Sequence, residues 1–177
     1  MLKQLRTFLT GLRKEAAPAY RPFNKVPPRR LIITEASVLA MRDCMAQEIA
    51  RGHEGIAYLF GLTNGATTIV VGATRPETRT TIGSFNVTSV AMARVVRAAT
   101  DSGLQFIGQI HTHPGQAYHS DGDEDGARIV YDGYVSMVVP EYGRRLPSLD
   151  GSAIYFYHGQ AFSELSGKAV KIINGKF

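Results

Sequence analysis

Hydrophobic residues from position 30 onward follow two spacings, one typical of strands and one typical of helices. Residues 30–34 form a short run rich in β-branched side chains, which favours a strand. Residues 35–51 carry apolar side chains at helical intervals and end before Gly52, which predicts an amphipathic helix with a glycine stop. Similar patterns predict further strands at residues 55–62, 67–73, 80–86, 104–111, 134–139, 153–157 and 169–173, and further helices at residues 89–99 and 123–131.

The order of these elements favours a layered domain. Asn64-Gly65 separates the second and third predicted strands and is a strong tight-turn signal, so these strands are expected to form a hairpin. Strands and helices that are intermixed along the chain, with an early hairpin, favour an α/β domain with a mixed sheet. Cys44 has apolar neighbours on the first helix and is expected in the core.

The first 29 residues differ from the rest of the chain and are predicted to be an arm. Four prolines between residues 18 and 28 indicate a linker that cannot be helical throughout. The predicted organisation is therefore an arm and linker at residues 1–29, followed by one domain at residues 30–177. An amphipathic basic helix at the start of the arm is predicted by the spacing of Leu2, Leu5, Phe8, Leu9 and Leu12.

The formal net charge of +5 is concentrated in this arm. Residues 1–30 hold eight Lys and Arg against Glu15 alone, a balance of +7, whereas residues 31–177 hold twelve bases against fourteen acids, a balance of −2. Nucleic-acid binding by the domain is therefore not expected. The arm helix is expected to dock on the domain or on a second copy, forming a homodimer. Binding to a membrane surface or an acidic partner, and a targeting role, are the alternatives.

Composition excludes several classes of protein. The single cysteine excludes an intrachain disulfide and any zinc site built from several thiolates. No apolar run approaches the roughly 18 residues that a membrane-spanning helix needs. A hydrophobic content of 44% with 20% charged residues is ordinary for a globular chain with a real core. We expect a cytoplasmic protein with no integral membrane segment.

Two closely spaced histidines point to metal chemistry. His111 and His113 end a predicted strand, and the two-residue period of a strand places both imidazoles on one face. Pro114 ends that strand because it has no amide to continue the ladder. Asp123 follows in the next polar segment, from which its carboxylate can face back toward the histidines. Two imidazoles and one carboxylate leave a fourth tetrahedral position for water, the pattern of a catalytic zinc site.

A zinc hydrolase also needs a carboxylate that acts as a base for the attacking water, and Glu54 is the candidate. This charged residue stands at the head of the apolar strand predicted at residues 55–62. Two other histidines of the chain, His53 and His119, are expected at the surface, and His119 is a candidate for the rim of the site.

The candidate residues and their order resemble the JAB/MPN (JAMM) metalloprotease domain. The resemblance covers about residues 31–160 and implies a JAB/MPN-like, cytidine-deaminase-like layered fold, in which helices flank a mixed curved sheet. A cytidine deaminase itself is excluded, because its zinc site needs a pair of closely spaced cysteines. The motifs that carry the resemblance are Glu54-x-x-Ala57-x-Leu59-x-Gly61, His111-x-His113-Pro114 and Ser120-x-x-Asp123.

The resemblance also implies a role for each residue of these motifs. His111, His113 and Asp123 would bind Zn²⁺. Glu54 would take a proton from the attacking water and hand it to the departing amine. Ser120 would donate a hydrogen bond to the oxyanion of the tetrahedral intermediate.

The chain departs from the family pattern in one loop. Residues 114–119, between the second histidine and the serine, are one residue fewer than the family usually has. Asp123 is inferred as the ligand from its spacing to the serine. The family's usual count would instead pair Asp121 with Glu124, without a serine, and Asp125 is a further competitor.

The resemblance implies a zinc-dependent peptidase that cleaves an isopeptide or peptide bond after the C-terminus of a ubiquitin-like protein. The compact chain looks like the prokaryotic branch of the family. Its members work beside activating and conjugating enzymes of ubiquitin-like systems, or process sulfur-carrier proteins. The alternative from another class is a non-catalytic scaffold that binds partners through its sheet and its arm.

Overall fold

The computed structural model describes residues 29–120, 122–123 and 131–174. The predicted arm helix and linker lie outside these residues, so the division of the chain at residues 29 and 30 stays a prediction. Asp121, Glu124 and Asp125 also lie outside them, as does most of the helix predicted at residues 123–131. In the described part of the chain, none of the helices combines the length and the apolarity that crossing a membrane requires.

The described residues form ten strands, two α-helices and two short 3-10 turns, at Glu141–Gly143 and Gly167–Ala169. In chain order the strands and helices are β1 Arg30–Thr34, α1 Glu35–Arg51, β2 Ile56–Asn64, β3 Thr67–Thr74, β4 Thr78–Thr81, β5 Ser84–Val87, α2 Ser89–Asp101, β6 Gln105–Thr112, β7 Val135–Val139, β8 Ala153–His158, β9 Ala161–Glu164 and β10 Val170–Ile173.

Eight of these strands form one sheet in the order β10-β1-β3-β2-β6-β7-β8-β9. The β10-β1, β1-β3 and β6-β7 pairs are parallel, and the other four pairs are antiparallel. The predicted α/β fold with a mixed sheet is therefore confirmed. Strands β2 and β6 lie at the centre, so residues at their ends are held by neighbours on both sides.

Helices cover both faces of this sheet, as the alternation of side chains along β2 demonstrates. Leu59 packs in a buried cluster that includes Met45 of α1. Tyr58 packs in a second cluster, which includes Met92 of α2. Because successive side chains of a strand point to opposite faces, a strand between two helical layers is apolar at nearly every position. This explains the continuous apolar run that follows Glu54.

Local signals fix both ends of α1 where the sequence predicts them. The Thr34 hydroxyl accepts a hydrogen bond from the Ser37 amide at 3.1 Å, which satisfies one of the free amides of the first turn. Gly52 adopts a left-handed conformation with φ of 64°, and its amide bonds to the Ile49 carbonyl. Glycine has no Cβ to oppose this conformation, so it ends the helix at no steric cost.

Residues 80–86, predicted as one strand, are instead parts of two. Strands β4 and β5 form a separate two-stranded sheet, and the turn between them contains Ile82 and Gly83. The prediction was wrong because apolar content does not reveal where a chain reverses. The predicted hairpin of β2 and β3 is confirmed, although its turn is shifted by one residue, because Asn64 pairs with Thr67. The sequence patterns did not reveal β9.

Three side chains on the helices differ from a simple amphipathic pattern. Leu39 is 42% exposed and Val90 is 61% exposed, although both fall in the predicted apolar faces. Glu48 is buried on α1 and accepts a hydrogen bond from Arg75, which neutralises its charge in the core. Cys44 packs against the core as predicted but is only partly buried, and this burial raises the pKa of its thiol.

Replacement of Gly61 by alanine is expected to destabilise the fold. A Cβ at Gly61, where the β2–β3 register shifts, would lie 1.8 Å from the Ile69 carbonyl oxygen. Relief of this overlap requires displacement of a central strand, so we expect a loss of about 1–3 kcal/mol or more in the free energy of unfolding. Gly72→Ala is the matched control, because a Cβ there meets nothing within 4 Å. Equal urea midpoints for the two variants would contradict the prediction.

Candidate metal centre

Strand β6 brings two histidines to one face at its carboxyl end. His111 is fully buried and His113, one residue beyond the strand, is 6% exposed. Their ring centroids are 5.1 Å apart. The intervening Thr112 points to the opposite face, where its methyl group approaches Gly143. The two-residue period predicted from the sequence therefore places both imidazoles together.

Asp123 approaches both histidines from the segment that follows. Its Oδ1 lies 3.1 Å from Nε2 of His111, and its Oδ2 lies 3.4 Å from Nε2 of His113. One ligand atom from each of the three residues lies within 4.8 Å of the others. Atoms that each bind zinc at about 2.0–2.2 Å are at most about 4.4 Å apart, so the cluster is close to the spacing of a filled site.

The hydrogen bonding of His111 provides a test of whether a metal ion fits this cluster. Both of its ring nitrogens are buried, and neither makes a hydrogen bond of acceptable geometry. Buried polar atoms are nearly always paired, so an unpaired imidazole nitrogen aimed at a carboxylate indicates a missing partner. A divalent cation among the three side chains would provide that partner for Nε2. The cluster therefore fits a metal ion.

The electrostatics of the cluster favour the protonation states that metal ligands need. Burial lowers the pKa of His111, which keeps its imidazole neutral. Burial would also lower the pKa of His113, but the hydrogen bond and charge of Asp123 outweigh it and raise that pKa. Burial opposes ionisation of Asp123, yet both histidines and the Ser120 amide hold its pKa well below the usual range. The carboxylate is therefore ionised.

Ser120 orients this carboxylate directly. Its amide and its hydroxyl each donate a hydrogen bond of 2.8 Å to Oδ2 of Asp123. In return, the Asp123 amide donates to the Ser120 carbonyl at 3.0 Å. This reciprocal bonding places Asp123 relative to the histidines despite the shorter loop. The oxyanion contact expected for Ser120 stays a proposal, since its hydroxyl here faces Asp123.

The predicted base opens onto the same cavity. Glu54 precedes β2, its amide donates to the Thr81 carbonyl at 2.9 Å, and only 7% of the residue is exposed. Burial raises the pKa of its carboxyl, the His113 charge opposes this, and the Asp123 charge adds to it. The cavity has a volume of about 320 Å³ and is lined by Glu54, Gly83, Ser84, Phe85, His113, Pro114, Tyr118, Ser120, Gly122 and Asp123.

The structure therefore brings together the residues singled out in the sequence. Four of the five line the cavity, and His111 lies against one of them, His113. Two aromatic rings that the sequence analysis missed flank the histidines. Phe85 of β5 lies 5.4 Å from the His111 ring and Tyr118 lies 5.0 Å from the His113 ring, measured between centroids. No spacing rule links either ring to the site, because both come from segments outside the motifs.

Thr112 is a further residue that the sequence analysis missed. Its side-chain oxygen accepts a hydrogen bond from the Gly55 amide at 2.8 Å, and its own amide donates to the Gly55 carbonyl at 3.0 Å. This double link joins the histidine strand to the segment that carries Glu54. The only sequence signal was its position between the two histidines.

His119 is not the surface residue that was expected. It is half-buried, its Nε2 lies 3.1 Å from the Ser136 hydroxyl, and its ring packs 4.3 Å from that of Phe162. It does not line the cavity. Its packing instead anchors the loop immediately before Ser120.

Comparison with known proteins places this chain in a family. Residues 39–146 match the family model of prokaryotic homologs of the JAB domain. The chain belongs to this family. The JAB domain it contains is 30% identical over 119 residues to the "Probable metalloprotease y4jG" of Sinorhizobium fredii (strain NBRC 101917 / NGR234), a match that covers 61% of this chain and 74% of the relative.

A solved structure supports the fold of this JAB-domain chain. It is similar to the solution structure of protein DSY2949 from Desulfitobacterium hafniense, with a TM-score of 0.58 and 14% identity. The match covers 81% of this chain and 93% of the other. The JAB/MPN-like fold implied by the sequence motifs is therefore confirmed.

Loss of one histidine is expected to abolish stoichiometric metal binding. His111→Ala removes one of three ligands from a buried cluster, and two remaining ligands hold zinc much more weakly. We expect about one equivalent of zinc in the purified wild-type protein and far less in the variant, measured by elemental analysis. His53→Ala, which removes an imidazole outside the cluster, should retain the full equivalent. A full equivalent in His111→Ala would contradict the assignment.

Removal of the Thr112 hydroxyl is expected to destabilise the junction beneath the site. Thr112→Val keeps the shape of the side chain but leaves the buried Gly55 amide without its acceptor. A buried unpaired amide costs about 1–3 kcal/mol, which denaturant unfolding would detect. Thr112→Ser keeps the hydroxyl and should lose clearly less stability than the valine variant. A serine variant as unstable as the valine variant would attribute the effect to packing instead.

Proposed function

We propose that the chain is a zinc-dependent peptidase that cleaves an isopeptide or peptide bond after the C-terminus of a ubiquitin-like protein. Membership of the JAB family and the name of the Sinorhizobium relative support a metalloprotease-type function. The observation that carries the proposal is that the buried Glu54 carboxyl opens onto the same cavity as His113 and Asp123. A metal ligand set alone would also suit a structural site, whereas a separate carboxylate at its opening suits hydrolysis.

The proposed zinc ligands are His111, His113 and Asp123. Bound zinc would supply a Lewis acid that polarises the scissile carbonyl and makes water acidic near neutral pH. The protein keeps its imidazoles and carboxylate in a buried cluster, and their own interactions favour a neutral His111 and an ionised Asp123.

Glu54 is the proposed general acid–base. Burial raises the pKa of its carboxyl, so the group can accept a proton from the attacking water and also release it. Its carboxylate oxygen would receive the proton as water attacks the carbonyl carbon. The same oxygen would then deliver the proton to the departing amine as the carbon–nitrogen bond breaks.

Ser120 is the proposed hydrogen-bond donor to the oxyanion. It has two donors, and both face Asp123 in this structure. The amide alone can continue to hold Asp123 when the hydroxyl rotates toward a substrate oxygen. This division would allow the hydroxyl to act in the transition state without release of the carboxylate.

The shape of the cavity suits an extended peptide tail. One wall is the turn of the β4–β5 hairpin, and glycines at positions 83 and 122 present no side chains to an incoming backbone. Among the described strands, β4 and β5 pair only with each other, so an edge is open to strand addition.

The biological setting is also part of the proposal. We propose a ubiquitin-like protein or its conjugates as the substrate, with activating and conjugating enzymes of the same bacterial system as partners, in the cytoplasm. Processing of a sulfur-carrier protein is the closest variant, since it uses the same bond and the same tail. A non-catalytic scaffold is less well supported, because a scaffold does not need a buried metal cluster with an adjacent carboxyl.

Glu54→Gln should abolish cleavage while it preserves the fold and the zinc content. The amide is nearly the same size but cannot accept the proton, and loss of a general base typically lowers kcat by about 10²–10⁴-fold. The assay is chelator-sensitive cleavage of ubiquitin-like proteins fused through their C-termini to a reporter. Glu77→Gln, at an exposed ion pair with Arg94, is the matched control and should retain wild-type activity. Normal turnover by a zinc-loaded Glu54→Gln protein would refute the role of Glu54.

A further inference from the structure

The turn that follows β7 has an unusual backbone beside the metal centre. Glu141, Tyr142 and Gly143 have φ values of 55°, 57° and 75°. Left-handed conformation is unfavourable for residues with a Cβ, and it persists only where the surrounding contacts require it. Two consecutive non-glycine residues in this region therefore indicate that specific contacts hold the turn.

Those contacts include hydrogen bonds to the segment of the second histidine. The Tyr142 amide donates to the His113 carbonyl at 2.7 Å, and the Glu141 amide donates to the Gly115 carbonyl at 3.0 Å. The turn thus binds the chain on both sides of Pro114. Its left-handed backbone is what presents two successive amides to that segment.

The side chain of Tyr142 extends from this turn to the opposite wall of the cavity. Its hydroxyl donates a hydrogen bond of 3.1 Å to the Ile82 carbonyl, in the turn of the β4–β5 hairpin. Ile82 itself is 67% exposed, and most of the hairpin is exposed or only partly buried. The neighbouring Thr81 carbonyl accepts the amide of Glu54. The hairpin turn is therefore held at adjacent carbonyls, one by the proposed base and one by Tyr142.

We propose that Tyr142 is a positioning residue that sets the width of the substrate cleft. It spans the cleft, with its amide on the His113 segment and its hydroxyl on the hairpin turn that contributes Gly83 to the cavity lining. The inference rests on the proposed function for its meaning, since the cleft is where a peptide tail would lie. Tyr142 itself touches none of the proposed reacting groups through its side-chain hydroxyl.

The direct test is amide hydrogen exchange of residues 78–87 in the zinc-loaded full chain, measured by mass spectrometry. Tyr142→Phe removes only the hydroxyl, so the ring and the turn are retained. We expect exchange in the hairpin to accelerate by about two- to tenfold, the usual effect of one net hydrogen bond. Zinc content and exchange in β2 and β6 should match those of the wild type.

Tyr131→Phe is the matched control. It also removes a tyrosine hydroxyl that donates to a backbone carbonyl, that of Phe106, but this bond does not reach the hairpin. Hairpin exchange should be unchanged in this variant. Unaltered hairpin exchange in Tyr142→Phe, or equal acceleration in both variants, would overturn the proposal.

A kinetic measurement separates the tether from the chemistry. With a ubiquitin-like fusion that the wild type cleaves, Tyr142→Phe should raise KM several-fold and leave kcat within about twofold, because the reacting groups are unchanged. A fall in kcat at unchanged KM would contradict a role in cleft width. If the wild type cleaves no such fusion, the proposed substrate is wrong, and the exchange experiment still decides whether Tyr142 holds the hairpin.

Discussion

The antiparallel register of β2 with β6 is the constraint on which the site depends. The pairing continues beyond the end of β2, where the Thr112 amide donates to the Gly55 carbonyl. The next residues on the two chains are Glu54 and His113, which brings the proposed base beside the second histidine although 58 positions separate them along the chain. A shift of one residue would turn every side chain of a strand to the other face. The buried alternation of both strands forbids such a shift, so packing of the core sets the geometry of the site.

The same arrangement gives the two carboxyl groups of the site different properties. Asp123 is surrounded by donors, namely two imidazoles and the groups of Ser120, and its pKa is held low. Glu54 is buried without comparable donors, and the nearby negative charge of Asp123 helps to raise its pKa. Environments that separate the pKa values of two neighbouring carboxyls allow one to stay ionised and the other to exchange protons. A ligand and a general acid–base need these two behaviours.

Features encoded by nearby residues could be predicted from the sequence, and features made by distant contacts could not. The bounds of α1 follow from a hydroxyl cap and a terminal glycine, and the paired histidines follow from strand periodicity. The turn at Ile82-Gly83 was missed because it interrupts an apolar run without a strong turn signal. The link from Tyr142 to Ile82 joins residues 60 positions apart, and no local pattern indicates it. The resemblance supplied Glu54 and Ser120, whose spacing to the histidines has no local explanation.

The position of β10 beside β1 has a consequence for how the domain reaches its final state. These parallel neighbours are the first and last strands of the described chain, and Leu31 lies opposite Val170. Contacts between residues so far apart in sequence cost the most chain entropy and form slowly. On the ribosome, β1 therefore lacks one of its two neighbours until nearly the entire polypeptide has emerged. Completion of this edge of the sheet is a late event in biosynthesis, long after the histidine strand has been made.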